Sequence, residues 1–270
     1  MQIIERGLVA KDYWRALWGR RELIYFLTRR DLTVRYKQTI VGVSWVVIRP
    51  FLTMVVFTVI FGSLANMGSS GLPYSFVVFA GVIPWYLFSN LVSTTSDCLQ
   101  SNIAMVNKVY FPRLVFPISI FLIAIVDFLV SFCLLIGMMI WYQLVPGWQI
   151  IFFPFFILMV AAFGLGLGMI SATLNIKFRD FQQLIPFMLQ LGIYLSPVGY
   201  LNQIVPQRWE IIYSLNPISG MINGFRWALA PNAITPYWPG IIYSAIISLV
   251  ILGIGIKLFR AAEAGFADTI

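Results

Sequence analysis

Asn107-Lys108-Val109-Tyr110-Phe111-Pro112-Arg113, with the apolar run 114–142 directly behind it, decides how this chain is read. Two cations flank a Tyr-Phe pair, and Pro112 stops the helix that leads in. Such a segment cannot lie in hydrocarbon, where its charges and interrupted backbone would go unsatisfied. It belongs at a membrane surface, where aromatic tips with basic ends suit docking onto another protein. The run behind it is long enough to cross a hydrocarbon core of about 30 Å at about 1.5 Å per residue.

The same alternation repeats outward in both directions. Apolar runs at 40–65, 72–96, 114–142, 150–174, 183–201 and 238–259 predict six transmembrane helices. Between them, 66–71 and the turn at Pro146-Gly147 carry no Lys or Arg, whereas 97–113 and Lys177-Phe178-Arg179-Asp180-Phe181 are charged hinges. Residues 202–237 are semi-apolar, but Pro206, Pro217, Pro231 and Pro236 cut them into pieces too short to span. That predicts short re-entrant or surface helices on the outer side between spans five and six. In residues 1–39, Trp14, Leu17, Trp18, Ile24 and Leu27 recur at helical spacing beside Lys11, Arg15, Arg20 and Arg21. This is the pattern of an amphipathic helix lying in the interface, with Trp at headgroup depth.

The expected product is an all-α integral membrane protein: an interfacial segment 1–39, a six-span domain 40–260 and a tail 261–270. Composition leaves no other comfortable class, with 60% apolar residues, 10% charged residues and a mean hydropathy of +0.88. The net charge of +8 is a topology signal rather than a nucleic-acid footprint, because the cations gather between apolar runs. Nine of the eighteen lie in 1–39, and two lie in each charged hinge and at the C-terminal end of the last run. The loops assigned outside hold only Arg208 and Arg226. Positive residues stay inside, so both termini and both charged hinges are expected in the cytosol. No cleavable signal pattern follows Met1.

Several chemistries are missing. There is no His, and Cys98 and Cys133 lack metal-type spacing, so buried thiols are expected rather than a disulfide or metal site. No Gly-x-x-x-x-Gly-Lys-Ser/Thr run exists, so the chain has no phosphate loop for ATP. No carboxylate pair has catalytic spacing, and no catalytic residue is expected. Gly164, Gly166 and Gly168 have the small-residue spacing that lets helices approach closely. Asp127 is the one acid deep in a span, and an ionisable group there is a candidate ion or proton site or a polar lock to another helix. Arg49, within the first span, is one available partner. Trp45, Phe51, Phe57, Phe61, Phe187 and Tyr194 are aromatic rings that face lipid, pack against helices or line a conduit for sugars, whose C–H faces stack on such planes.

The chain resembles the permease subunits of type-2 ABC exporters that move polysaccharides such as O-antigen, capsule and teichoic acid. The resemblance runs from about residue 29 to 260 and rests on four stretches. They are Arg30-Asp31-Leu32-x-x-Arg35-Tyr36-Lys37-Gln38-Thr39 with Gly42, Trp45 and Pro50; Gly81-Val82-Ile83-Pro84-Trp85; the hinge at Asn107 to Arg113 with Pro117 and Asp127-Phe128; and Leu174-Asn175-x-x-Phe178-Arg179-Asp180 with Ser196-Pro197-Val198, Leu215-Asn216-Pro217-x-x-Gly220 and Phe225-Arg226. Arg49 departs from that pattern, where an uncharged residue is expected.

The resemblance implies a half-transporter in the plasma membrane of a bacterium (the inner membrane if Gram-negative). Two permeases would pair as a homodimer around a path for lipid-linked polysaccharide, surrounded by membrane lipid. Two copies of a separate cytosolic ABC ATPase would bind below and hold the ATP and Mg, with no cofactor in this chain. Asn107, Lys108, Tyr110, Phe111, Pro112 and Arg113 resemble the family's coupling helix, and Lys177, Arg179 and Asp180 form the neighbouring contact. An integral-membrane glycosyltransferase, an ion-driven flippase using Asp127, and a type-2 permease for a small lipid or drug are the competing readings.

Overall fold

The structure is a computed structural model that describes residues 10–37, 44–108, 111–178 and 180–263, with the side chains in these ranges except those of residues 10–12, 37, 107, 108, 207 and 210. Every regular element among the described residues is helical. The amphipathic segment forms two helices, α1 (Ala10–Gly19) and α2 (Arg21–Lys37), that meet at Arg20. Tyr13 and Leu17, one turn apart, are buried, whereas Trp14 and Trp18 on the other face are 47% and 75% exposed. The helix is two-faced because these pairs each repeat at i, i+4.

Among the described residues five helices are long and apolar enough to cross a membrane. The first is α3 (Ser44–Phe57), which passes directly into a π-helical stretch, Thr58–Leu64. The wider turn closes with the Ala65 N–H on the Ile60 carbonyl at 2.9 Å. Next come α4 (Tyr74–Ser96), the short α5 (Ile103–Lys108) and α6 (Val115–Trp141). A 3₁₀ turn, Trp148–Phe152, leads into α7 (Phe153–Lys177), and the last long helix is α11 (Trp238–Ala262). Between them lie α8 (Phe181–Leu195), a 3₁₀ turn Asn202–Ile204, α9 (Gln207–Ser214) and α10 (Pro217–Leu229).

The most enclosed of the five is α4, which touches α3, α6, α7, α8 and α10. Pro84 lies inside it without ending it, although its ring removes one ladder hydrogen bond. Both Ala80 and Pro84 are buried, so neighbours hold the helix through the gap. The glycines of α7 work on two sides. A Cβ on Gly164 or Gly168 would meet the Cβ atoms of Leu91 and Thr95 of α4 at 3.0 and 2.6 Å. One on Gly166 would meet the Ile251 backbone of α11 at 2.7 Å, and Gly255 of α11 meets the Gly166 carbonyl in return. Close backbone approach on both faces explains why small residues alternate here.

The fifth apolar run departs from expectation. Its helix, α8, ends at Leu195 after 15 residues, about 22 Å of rise, so it falls short of the other five. Ser196 is extended because Pro197 follows it. The run nevertheless tracks the length of α4. Gln182 pairs with Gln100 near one end of α4, Gly192 lies on the Trp85 ring, and the Gly199 carbonyl accepts from the Tyr74 hydroxyl at the other end.

The Pro-cut segment holds α10, a 13-residue helix started by Pro217 and capped by Asn216, whose side chain accepts from the Ile218 N–H at 3.2 Å. It is buried from Ile218 to Leu229. Phe225 lies 4.9 Å from Phe153 and 6.4 Å from Phe128, ring to ring, so α10 is wedged among α6, α7 and α4 at the Tyr74 end of the bundle.

Candidate coupling surface

At the other end of the bundle the two hinges, α1, α2 and the end of α11 converge. After α4 the chain turns through 97–102 into α5, then reaches Phe111, Pro112 and Arg113 before α6. Of the hinge residues singled out above, Asn107 and Lys108 are helical in backbone but lack described side chains, and Tyr110 and Arg179 lie outside the described residues. Phe111 and Pro112 are buried, with the Phe111 ring edge-on to Phe116 at 5.5 Å. Lys177 and Asp180 are exposed, as is Phe178 between them.

The two hinges are stitched together by side-chain amides. Asn175 Nδ2 donates to the Ser96 carbonyl at 2.9 Å and to Asp97 Oδ1 at 3.3 Å. Gln100 Nε2 donates to the Asn175 carbonyl at 3.3 Å, while its oxygen accepts from Gln182. Burial raises the Asp97 carboxyl above its ordinary range, and the Ser96 hydroxyl partly offsets this. From α2, Arg30 reaches Asn102 at 3.2 Å and pairs with Asp31 at 2.7 Å.

Arg113 points inward. Its backbone N–H and its guanidinium both donate to Glu263, the latter to the main-chain carbonyl at 2.8 Å. The Tyr13 hydroxyl donates to Glu263 Oε1 at 3.4 Å, and Arg260 lies over the Tyr13 ring at 4.2 Å. Burial pushes the Glu263 carboxyl up, against the pull of Arg113, Tyr13 and Arg260. The Tyr13 phenol is raised by burial first and the adjacent carboxyl second, so it stays a donor. This clasp ties α1, the first hinge and the end of α11 to one another. Nothing in the local sequence pattern pointed to Tyr13 or Glu263; their pairing spans 250 positions.

Asp127 does not pair with Arg49. Its carboxylate is taken by Arg35 of α2, by the Tyr36 hydroxyl at 2.7 Å and by Asn90 at 3.4 Å. Helix α2 reaches far enough along α6 to cover it, so its cation comes from outside the five long helices. Burial, then Asp127 itself, raises the Tyr36 phenol and keeps it protonated. Arg49 instead lies over the Trp45 ring at 5.9 Å.

Arg226, read from the sequence as an outer-loop cation, is fully buried at the Tyr74 end. It donates to three main-chain carbonyls: Val77 at 3.0 Å, Tyr200 at 2.8 Å and Val198 at 2.8 Å. Gly81 is required beside it, since a Cβ there would lie 2.3 Å from its Nη2. Of the aromatic candidates, Trp45, Phe51, Phe187 and Tyr194 are exposed, whereas Phe57 is buried against Phe61 and Tyr194. Cys98 is buried and Cys133 exposed, and both are free thiols. No group of acids and thiols among the described residues could hold a metal ion.

Residues 22–230 match the family described as ABC-2 type transporter. The chain belongs to that family. Similarity to individual ABC-2 proteins is nearly end to end. Identity is 27% over 258 residues with the O-antigen export system permease protein RfbA of Myxococcus xanthus, covering 95% of this chain and 98% of that one. It is 25% over 251 residues with the RfbA of Klebsiella pneumoniae, covering 92% and 94%. With the polysialic acid transport protein KpsM of Escherichia coli it is 22% over 248 residues, covering 87% and 91%. An ABC-2 permease is a multi-pass transmembrane subunit without an ATPase domain, and it works with the ATPase of its transport system.

Proposed function

We propose that this ABC-2 permease is the membrane-spanning half of an ATP-driven exporter. It carries a lipid-linked polysaccharide of the O-antigen or capsule kind from the cytosol across the plasma membrane of a bacterium. The observation that carries the reading is the near full-length similarity to three relatives named for O-antigen export and polysialic acid transport.

The six-crossing, N-in/C-in arrangement is supported by parity. Tyr13 of α1 and Glu263 beyond α11 touch, so the chain returns to the side it left. Five long helices make an odd number, and α8 with 196–199, running from the Gln100 end to the Tyr74 end, supplies the sixth passage. The cation-rich end is then cytosolic, and α10 is a re-entrant helix near the outer face.

The stitched surface of the two hinges is the docking site for the ATPase, two copies of which serve a homodimer of permeases and bind the ATP and Mg. Lys108, Tyr110, Lys177, Arg179 and Asp180 make the contact, while Phe111 and Arg113 brace the loop from within. The exposed rings of α3 and α8, namely Trp45, Phe51, Phe187 and Tyr194, together with Gln190, line the polymer path, and Phe57 supports Tyr194. Asp127, covered by three donors, serves as a lock rather than a proton relay.

The test is reconstitution with the partner ATPase in sealed vesicles. ATP-dependent movement of lipid-linked polymer supports the reading. Failure to hold an ATPase, or transport driven by a proton gradient without ATP, overturns it, and movement of small lipids or drugs alone reassigns the cargo.

A further inference from the structure

A cavity of about 570 Å³ opens on the side of the bundle between α3, α4 and α6, edged by Arg35 of α2 and Leu189 of α8; of its lining only Trp45 is placed on the polymer path above, and its polar groups have been given no ligand. Its polar lining includes Arg35, Arg49, Asn90, Ser93 and Ser131, with Asp127 as its one acid. Asp127 is consumed by Arg35, Tyr36 and Asn90. That leaves the charge of Arg49 uncompensated: among the described residues no carboxylate lies within salt-bridge distance of it. A cation on an apolar membrane helix, facing a cavity and lacking a counter-ion, calls for an anion. We infer that the cavity binds the phosphate group of a lipid head, with Arg49 as its principal ligand.

Three observations favour a lipid phosphate over a small free ion. The volume is in the range of organic-ligand pockets, far above what one inorganic ion needs. Val46, Ile83, Leu87 and Leu189 add apolar wall to the cavity and suit the first carbons of a lipid chain. Arg49 lies five residues into α3, and Ser93 and Asn90 lie three and six residues before the end of α4. At about 1.5 Å per residue these groups stand roughly 5–10 Å inside the helix ends, where a lipid phosphate meets its acyl region. A guanidinium matches phosphate oxygens two at a time. The Asn90 amide, whose bond to Asp127 leaves it a second N–H, and the Ser93 hydroxyl are neutral donors on the opposite wall. The assignment does not depend on the cargo the transporter carries.

The experiment is native mass spectrometry of the full chain with its ATPase in detergent, titrated separately with phosphatidylglycerol, a polyprenyl phosphate, diacylglycerol and inorganic phosphate. Arg49→Gln and Arg49→Lys are compared with the unaltered chain, and thermal unfolding checks that both fold. The expected result is one site per chain for a phosphate-bearing lipid, weakened roughly tenfold by Arg49→Gln, partly kept by Arg49→Lys, with diacylglycerol unaffected. Whichever of the two phosphate lipids binds more tightly names the source. Equal binding by Arg49→Gln, equal binding of diacylglycerol, or saturation by inorganic phosphate alone overturns the assignment.

Discussion

Arg113 and Glu263 are held together by two hydrogen bonds across 150 positions of sequence, one from the backbone N–H and one from the guanidinium. The first hinge is therefore fastened to the end of α11 as well as to its flanking helices. Arg113→Ala keeps the backbone N–H on the Glu263 carboxyl but leaves the Glu263 carbonyl without its guanidinium donor and removes the cation beside a buried carboxyl, which costs about 2 kcal/mol. The expected phenotype is inserted protein of lower thermal stability that keeps ATP hydrolysis but loses most of its transport, measured in vesicles. Glu263→Gln, which still accepts from the Arg113 N–H, should be milder than Glu263→Ala. Normal transport by Arg113→Ala would refute the role of the clasp.

Arg226 joins the start of α4 to the chain after α8 through three carbonyls. Arg226→Met removes all three donations in a buried place, at a cost of about 3 kcal/mol or more. Detergent-extracted protein should aggregate or be degraded, read by size-exclusion yield. Gly81→Ala should fail in the same way, because its methyl would occupy the guanidinium's position.

The pair Arg35–Asp127 is half open to the outside, with side-chain exposures of 39% and 13%. A double-mutant cycle with Arg35→Gln and Asp127→Asn should give a coupling energy of about 1 kcal/mol, well below that of a sealed ion pair. Either single change should loosen α2, seen as faster proteolysis within 21–37. An additive cycle would show that the contact does not hold the helix.

Lys177 and Phe178 are exposed and bound to nothing else among the charged groups described. Lys177→Glu should lower ATPase affinity about tenfold through like-charge or lost-charge effects at an interface rim, while insertion and unfolding temperature stay unchanged. Pull-down with the purified ATPase reads this directly, and unaltered affinity would remove the second hinge from the docking surface.

Gly166→Leu should separate α7 from α11, since even a Cβ would stand 2.7 Å from the Ile251 backbone. The neighbour is main chain and cannot rotate away, so the loss should be about 2 kcal/mol or more. Gly137→Leu, where nothing lies within 4 Å, is the control and should be silent.

Hydropathy alone located the five long helices, because a bilayer demands an uninterrupted apolar length that few other patterns mimic. Glycine spacing likewise exposed the tight contacts of α7, although not which neighbour each glycine meets. Partner choice was illegible. Asp127 selects Arg35, 92 positions earlier, over Arg49, and no local periodicity encodes that. Arg226 looked like a loop cation because four prolines around it break the apolar run, yet those breaks are what allow α10 to turn back into the bundle. Also hidden was the shortness of α8, since Ser196-Pro197 sits within an otherwise apolar stretch.

The continuity of α11 has a mechanical consequence. Over 25 residues, about 37 Å, it carries no proline after its first turn and no gap in its helix. Its far end abuts α10 backbone to backbone at Gly220 and Gly240, with Trp227 and Trp238 in edge contact at 5.2 Å. Its near end terminates at Arg260 and Glu263. A shift imposed on Arg113 therefore reaches the buried α10 through a single stiff pushrod, without waiting for side chains in between to rearrange. The buried α10 and the hinge thus lie at the two ends of one continuous helix.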